Sequence, residues 1–424
     1  MRVDLAFGRS GIPVELPAGY AYRVLEARSA TPLEDAGGAL EAALDRPIGT
    51  PPLVELARGK STAAISVCDI TRPTPNRQTL PPVLRRLEAA GIPREGITIL
   101  IATGLHRPAS EAEIRQIVGP EIAARYRVAN HNARELGEHR RLGTSASGTP
   151  VWIDERFVSA GLRMSLGFIE PHLMLGYSGG RKLVVPGLAA QETIQVLHNP
   201  HFMRQTLTSE GSLENNPLHH EFLEIARMAG HDFMLDVALA RDRRIAGVFA
   251  GDPVEAHRAG VAFVSRVMLE LLDEPVDAVL TTSAGYPLDL TFYQALKGAT
   301  AAQHIVKPGG RILLVAACEE GPGAPEFRRM LKEYPTDRQF LDATASAPVV
   351  VDQWQLDKFA MVTAKAKVLF YVPGLAADYY PTLWGTAYPS LQAAVGALLA
   401  GLPPGAKVAV IPEGPYVLAK TRAA

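Results

Sequence analysis

The stretch Leu162-Arg163-Met164-Ser165-Leu166-Gly167-Phe168-Ile169-Glu170-Pro171-His172 decides the fold. Its first residues form an apolar run suited to a buried strand, and the run ends in a polar Glu-Pro-His cluster. Two earlier runs have the same form. Ala63 to Val67 leads into Asp69-Ile70-Thr71-Arg72-Pro73, and Ile97 to Ile101 leads into Thr103-Gly104-Leu105-His106-Arg107-Pro108. Runs from Ala278 to Thr281, Arg311 to Ala316 and Val368 to Val372 repeat the pattern, with helical patterns between them. Ser110-Glu111-Ala112-Glu113 is a capping box with Gly119 as the stop, and Asp252-Pro253-Val254-Glu255 opens a helix expected to run to about Leu272. Strands alternating with helices predict an α/β fold with largely parallel sheets flanked by helices. In open parallel sheets ligands bind beyond the carboxyl ends of the strands, so the three polar loops should converge on one site. That convergence is what points to an enzyme.

A chain of 424 residues is long enough for two domains, each with its own core. Leu272-Asp273-Glu274-Pro275 reads as a linker, which gives an N-terminal domain of 1–272 and a C-terminal domain of 276–400. A last strand near Val408 to Ile411 is expected to return to the first domain, so that 405–424 completes it. In the second domain Gly285-Tyr286-Pro287-Leu288-Asp289 precedes Tyr293, Gln294 and Lys297. Gln294 and Lys297, three apart on a helix, share a face and together suit one small anion. The site is therefore expected in the cleft between the domains.

The net charge of −1 supplies no broad attraction for nucleic acid or an anionic membrane, so small polar ligands lead as partners. Cys68 and Cys318 alone make neither a disulfide framework nor a thiolate metal cage, which fits a reducing cytoplasm. The N-terminus lacks a signal-peptide pattern and no apolar run reaches membrane-span length, so a cytoplasmic location is the expectation.

Within Gly176-Tyr177-Ser178-Gly179-Gly180-Arg181-Lys182 the glycines let backbone N–H groups approach an anion, so the turn reads as a place for a phosphate or carboxylate. It is not a nucleotide P-loop: Arg181 stands where that pattern has its second glycine, and Leu183 where it has the hydroxyl that holds Mg²⁺. His106, between a glycine turn and Arg107-Pro108, reads as functional rather than core. His172 reads equally well as functional or as a loop residue bonded to backbone, and His198, taken alone, as a helix-end residue. His198 and His201 lack a Glu or Cys partner at zinc spacing. His219-His220 is expected on the surface, Asp69 and Arg72 could pair with each other, and Trp354 could pack or cover a ligand.

Together these clusters resemble the nickel-dependent lactate racemase family over nearly the whole chain. The resemblance is carried by Asp69-x-Thr71-Arg72-Pro73, Ala102-Thr103-Gly104-x-His106-Arg107-Pro108, Gly167-Phe168-Ile169-Glu170-x-His172, Ser178-Gly179-Gly180-Arg181-Lys182, and Gly285-Tyr286-Pro287-Leu288-Asp289 leading to Gln294 and Lys297. It implies that Lys182 carries a covalently attached pyridinium-3,5-bisthiocarboxylic acid mononucleotide, a pincer for nickel, with His198 as the metal-binding imidazole. It also implies that His106 and His172 are the proton-transfer pair. Asp69, Ile70, Thr71, Arg72, Ser178, Gly179 and Gly180 would contact the cofactor. Arg72, Gln294 and Lys297, with Tyr293 and Trp354, would hold a 2-hydroxy acid. Transient partnership with cofactor-synthesis enzymes follows from the same resemblance. Pro171 before the second histidine, Pro200-His201-Phe202 after His198 and Cys318-Glu319-Glu320-Gly321-Pro322-Gly323 depart from the family pattern, which bears on the preferred substrate.

The chemistry is consistent with those residue types. Inverting C2 of a 2-hydroxy acid breaks a C–H bond of low acidity, and removal as hydride avoids a dianion. The hydroxyl then needs a general base on either side of the carbon, which two histidines supply. An NAD-dependent dehydrogenase is disfavoured because no G-x-G-x-x-G follows the first strands. A two-domain small-acid binding protein would explain Lys297 but needs neither histidine nor a reactive lysine.

Overall fold

The computed structural model describes residues 1–422 of the chain, which divides into two compact units. The first comprises Ser29–Leu197 and Leu207–Val267; the second comprises Met1–Arg28, His198–Thr206 and the chain from Met268 onward.

The first unit is built on strands β1 (Ala63–Cys68), β2 (Ile97–Ala102), β3 (Arg127–Asn130), β4 (Leu162–Phe168), β5 (Phe233–Leu239) and β6 (Ile245–Gly251). They form one sheet in the order β6-β5-β4-β1-β2-β3, parallel except for β6. Every residue of β1 is buried, as a central strand covered on both faces requires. The chain fills β1, β2 and β3 in one direction and then places β4 on the other side of β1. The sheet's switch point therefore lies between the ends of β1 and β4, where a crevice forms in doubly wound folds. The predicted capping box is present at Ser110 and Glu113, and Gly119 ends that helix at φ +92°.

The second unit carries β7 (Val276–Thr282), β8 (Val306–Val315), β9 (Lys367–Tyr371), β10 (Thr386–Ala387) and β11 (Lys407–Ile411). With the N-terminal strand Ala21–Val24 they form an all-parallel sheet in the order β10-β9-β8-β7-β11-(Ala21–Val24). The loop after β7, again at a switch point, leads to the helix Phe292–Ala302.

Two expectations are corrected here. The final strand does not return to the first domain: β11 pairs with β7 and with Ala21–Val24, so both chain ends serve the second unit. The helix opened by Asp252 spans Glu255–Met268, and Leu269–Leu272 is a strand pairing in parallel with Leu418–Thr421. The Asp252 carboxylate caps that helix as expected, accepting from Val254 and Glu255 N–H. Only the far end of the chain reveals that Leu269–Leu272 has a strand partner, and local periodicity carries no such information.

Candidate functional site

The loop after β1 is organised by Asp69. Its Oδ1 accepts from Thr71 Oγ1 at 2.6 Å and Thr71 N at 3.3 Å, a local Asx-type turn. Its Oδ2 lies 2.7 Å from His106 Nδ1, on the loop after the neighbouring β2. Burial alone would raise the Asp69 carboxyl, but the hydrogen bonds from His106 and Thr71 and the charges of His106 and Arg72 outweigh it and hold the pKa below the ordinary carboxylate value. An ionised carboxylate only accepts, so His106 Nδ1 carries the hydrogen, and when the ring is neutral its Nε2 presents a lone pair. Asp69 is 7% exposed while the His106 side chain is 54% exposed, so a buried anchor orients an imidazole open to a ligand. Asp69 thus pairs with His106, not Arg72; Arg72 and Thr71 are exposed and Ile70 is half-buried.

The loop after β4 treats its histidine differently. Pro171–His172 pairs with Gly176–Tyr177 in a two-stranded hairpin. There His172 Nδ1 accepts from the backbone N–H of Met174 and of Leu175, each at 3.3 Å. A nitrogen that accepts carries no hydrogen, so in neutral His172 the proton sits on Nε2. As neutral rings, His106 therefore offers a hydrogen-bond acceptor at Nε2 and His172 a hydrogen-bond donor.

Several N–H groups of the glycine turn are engaged within the protein. Gly180 N–H donates to Asp236 Oδ2 at 2.7 Å, Ser178 N–H to Glu170 O, and Lys182 N–H to Gly179 O. The anion the turn receives is the protein's own carboxylate from β5. Desolvation raises fully buried Asp236 to about 7, against the opposing Gly180 N–H and the Arg181 charge. Gly179 has φ +84°, and a Cβ there would lie 2.1 Å from Asp236 Oδ2, so only glycine fits. Ser178 Oγ is also engaged in the frame, accepting from Glu170 N–H and donating to Phe168 O. Arg181, fully buried, donates to Leu175 O at 3.0 Å and Tyr177 O at 2.9 Å, and so clamps the hairpin that bears His172. Burial lowers its pKa to about 9. Within this turn Lys182 is half-buried between buried Arg181 and Leu183.

In the second unit, Gln294 and Lys297 share one face near the start of Phe292–Ala302, a helix capped by Thr291 through Gln294 N–H. Gln294 Oε1 is buried without a hydrogen-bond partner. Trp354 Nε1 donates to Tyr293 OH at 3.1 Å, and its ring lies 4.7 Å from that of His198. The anticipated ambiguity of Trp354 thus resolves into contacts with two other candidate residues. Among the described residues no group of three or more His, Cys, Asp or Glu side chains is arranged to hold a metal ion. No helix among them is long and apolar enough to cross a membrane.

Sequence reasoning missed Asp236, the orienting role of Asp69 and the burial of His219, which is 6% exposed with its pKa lowered by burial to about 2. An aspartate inside the apolar run Phe233–Leu239 was the one available signal for the first.

His106 and His172 thus stand on loops that follow strands of one doubly wound α/β sheet. Residues 7–210 match the family model for the lactate racemase N-terminal domain and 272–419 that for the lactate racemase C-terminal domain. The chain is 36% identical to a lactate racemase of Lactiplantibacillus plantarum over 90% of each chain. It is 31% identical to one of Thermoanaerobacterium thermosaccharolyticum over 99% of each. The structure of the lactate racemase apoprotein from the latter organism superimposes with a TM-score of 0.90 at 30% identity, covering 99% of this chain and 100% of that one. A crystal structure of a Thermotoga maritima protein shares the fold alone, with a TM-score of 0.67 at 16% identity over 93% of this chain and 100% of that one. The protein is an isomerase, and it belongs to the lactate racemase family.

Proposed function

We propose that this racemase interconverts the enantiomers of lactate or a closely related 2-hydroxy acid in the cytoplasm, using a nickel-pincer nucleotide tethered to Lys182. The observation that carries the reading is the opposed wiring of His106 and His172 on loops at the same end of one parallel sheet.

The residues present suit such a cofactor. The helix Asn76–Ala89 follows directly on Arg72-Pro73, has no side-chain cap, and leaves Thr79 Oγ1 and Asn76 Oδ1 buried without partners. The positive dipole end of that helix, next to Arg72, suits a nucleotide phosphate. The lysine amine of Lys182 suits a covalent tether. The described residues offer nickel no protein cage, so a metal held by His198 needs a group that brings its own sulfur and carbon donors. When bound, the cofactor supplies the hydride acceptor for C2.

The protein's part is positioning and proton transfer. Lys297, with Gln294 and Arg72, holds the substrate carboxylate and fixes the orientation of C2. His106 Nε2 takes the hydroxyl proton of one enantiomer, and Asp69 stabilises the imidazolium that forms. His172 Nε2–H donates to the substrate oxygen and serves as base for the other enantiomer once its Nδ1 gives up the two backbone N–H contacts. The 2-keto acid is planar at C2, so either face could accept a hydride, and an imidazolium on that side, His106 or His172, would return the proton to the oxygen.

The test is chiral chromatography of L- and D-lactate incubated with enzyme produced alongside the cofactor-synthesis enzymes, with malate, longer 2-hydroxy acids and aldonates in parallel. Interconversion of one of these acids is expected. Failure with all of them, on enzyme that carries adduct and nickel, would overturn the assignment.

A further inference from the structure

The chain leaves the first unit at Leu197, contributes His198–Thr206 to the second, and returns at Leu207. Nothing in this segment's local structure is strong enough to hold it there. The helix Pro200–Met203 has four residues, capped by Asn199 Oδ1 on Phe202 N–H, and a helix so short is not stable alone.

What holds it, beside the buried side chains of Phe202 and Met203, is Arg204. Its Nε donates to Asp357 Oδ1 at 2.8 Å, Nη1 to Leu341 O at 3.2 Å and Nη2 to Thr344 Oγ1. Its guanidinium lies over the Phe340 ring at 5.8 Å. Asp357 is completely buried, and its other oxygen faces Gln353 Nε2 at 3.4 Å. Desolvation pushes its carboxyl up, against the charge of Arg204. Asp357 and Trp354 are three apart on the helix Gln353–Lys365 and therefore share a face. The segment meets that helix through two rungs: His198 against Trp354 at one end, Arg204 against Asp357 at the other.

We infer that Arg204 and Asp357 are positioning residues for the metal-binding imidazole: their ion pair sets the segment 198–206 in the register that stacks His198 on Trp354. The inference rests on the reading of His198 as the nickel ligand. A metal joined to the protein through one imidazole depends on that ring's orientation, and partners beyond the ligand that orient it are worth about 10–100-fold in metal affinity.

The experiment compares wild type, Arg204→Ala, Arg204→Lys, Asp357→Asn and His198→Ala, each produced alongside the cofactor-synthesis enzymes. Intact mass reads the adduct at Lys182, elemental analysis reads nickel per adduct, and amide hydrogen exchange of 199–206 is followed in metal-free protein. Arg204→Ala and Asp357→Asn should keep the adduct, lose nickel about tenfold and exchange faster in that segment, with Arg204→Lys in between. A folded Arg204→Ala or Asp357→Asn that retains wild-type nickel per adduct overturns the inference. If Arg204→Ala does not fold, Arg204→Lys and Asp357→Asn decide by the same criterion. His198→Ala that keeps its nickel, or a wild type with neither adduct nor nickel, overturns the underlying reading and this inference with it.

Discussion

The loop after β2 and the hairpin after β4 each present a histidine from the same end of one sheet, but they hold it by opposite means. His106 is fixed by a buried carboxylate that accepts its Nδ1–H, so the neutral ring offers a lone pair at Nε2. His172 is fixed by two backbone N–H groups donating into its Nδ1, so the neutral ring offers an N–H donor at Nε2. On the proposed reading, His106 needs no rearrangement to take a proton at Nε2, whereas His172 must release its two backbone contacts before it can.

The bluntest way to break the comparison is His106→Ala or His172→Ala. Each should lower turnover on the order of 10²–10⁴-fold, the usual range for a general acid or base, while nickel content stays at the wild-type value. Initial rates on each enantiomer with elemental analysis read both; loss of nickel in either variant would mean the histidine is a ligand. Asp69→Asn acts on one side only. An amide can donate to Nδ1 and draw the hydrogen to Nε2, so kcat should fall about 10–100-fold with the His172 hairpin unchanged. Arg181→Lys acts on the other side. Losing the two hydrogen bonds to Leu175 O and Tyr177 O should cost about 2 kcal/mol in urea unfolding. It should also quicken exchange in 172–177 while leaving the loop 103–108 as it was.

The smallest effect separates site histidines from frame histidines. His131 lies below the His106 loop, its Nε2 2.9 Å from His139 Nε2, and burial lowers its pKa to about 3. The folded value is below the unfolded one near 6.5, so its contribution is present above that pH and is lost as pH falls. Between pH 6.5 and 5.5 wild type should lose about 1 kcal/mol more unfolding free energy than His131→Gln. Equal losses would show that the ring is already charged in the fold.

Much of the fold was readable because both sheets are made of buried, strongly apolar runs, with β4 spanning Leu162–Phe168 as expected and β1 reaching one residue beyond Val67. Its polar loops were readable because polar side chains there interrupt apolar surroundings. The parts that escaped depend on distant partners. Leu269–Leu272 is a strand because Leu418–Thr421 lies beside it, and the glycine turn binds Asp236 because β5 delivers a carboxylate beneath it. The tautomers of His106 and His172 follow from a side chain 37 residues away in one case and from a hairpin's own amides in the other. The sequence shows the histidines but not what their nitrogens touch.

The most direct test of the account is long-range ¹H–¹⁵N correlation of the histidine rings at neutral pH, assigned with His106→Gln and His172→Gln. Opposite patterns are predicted: a protonated Nδ1 and bare Nε2 in His106, a bare Nδ1 and protonated Nε2 in His172. The same tautomer in both rings would contradict it.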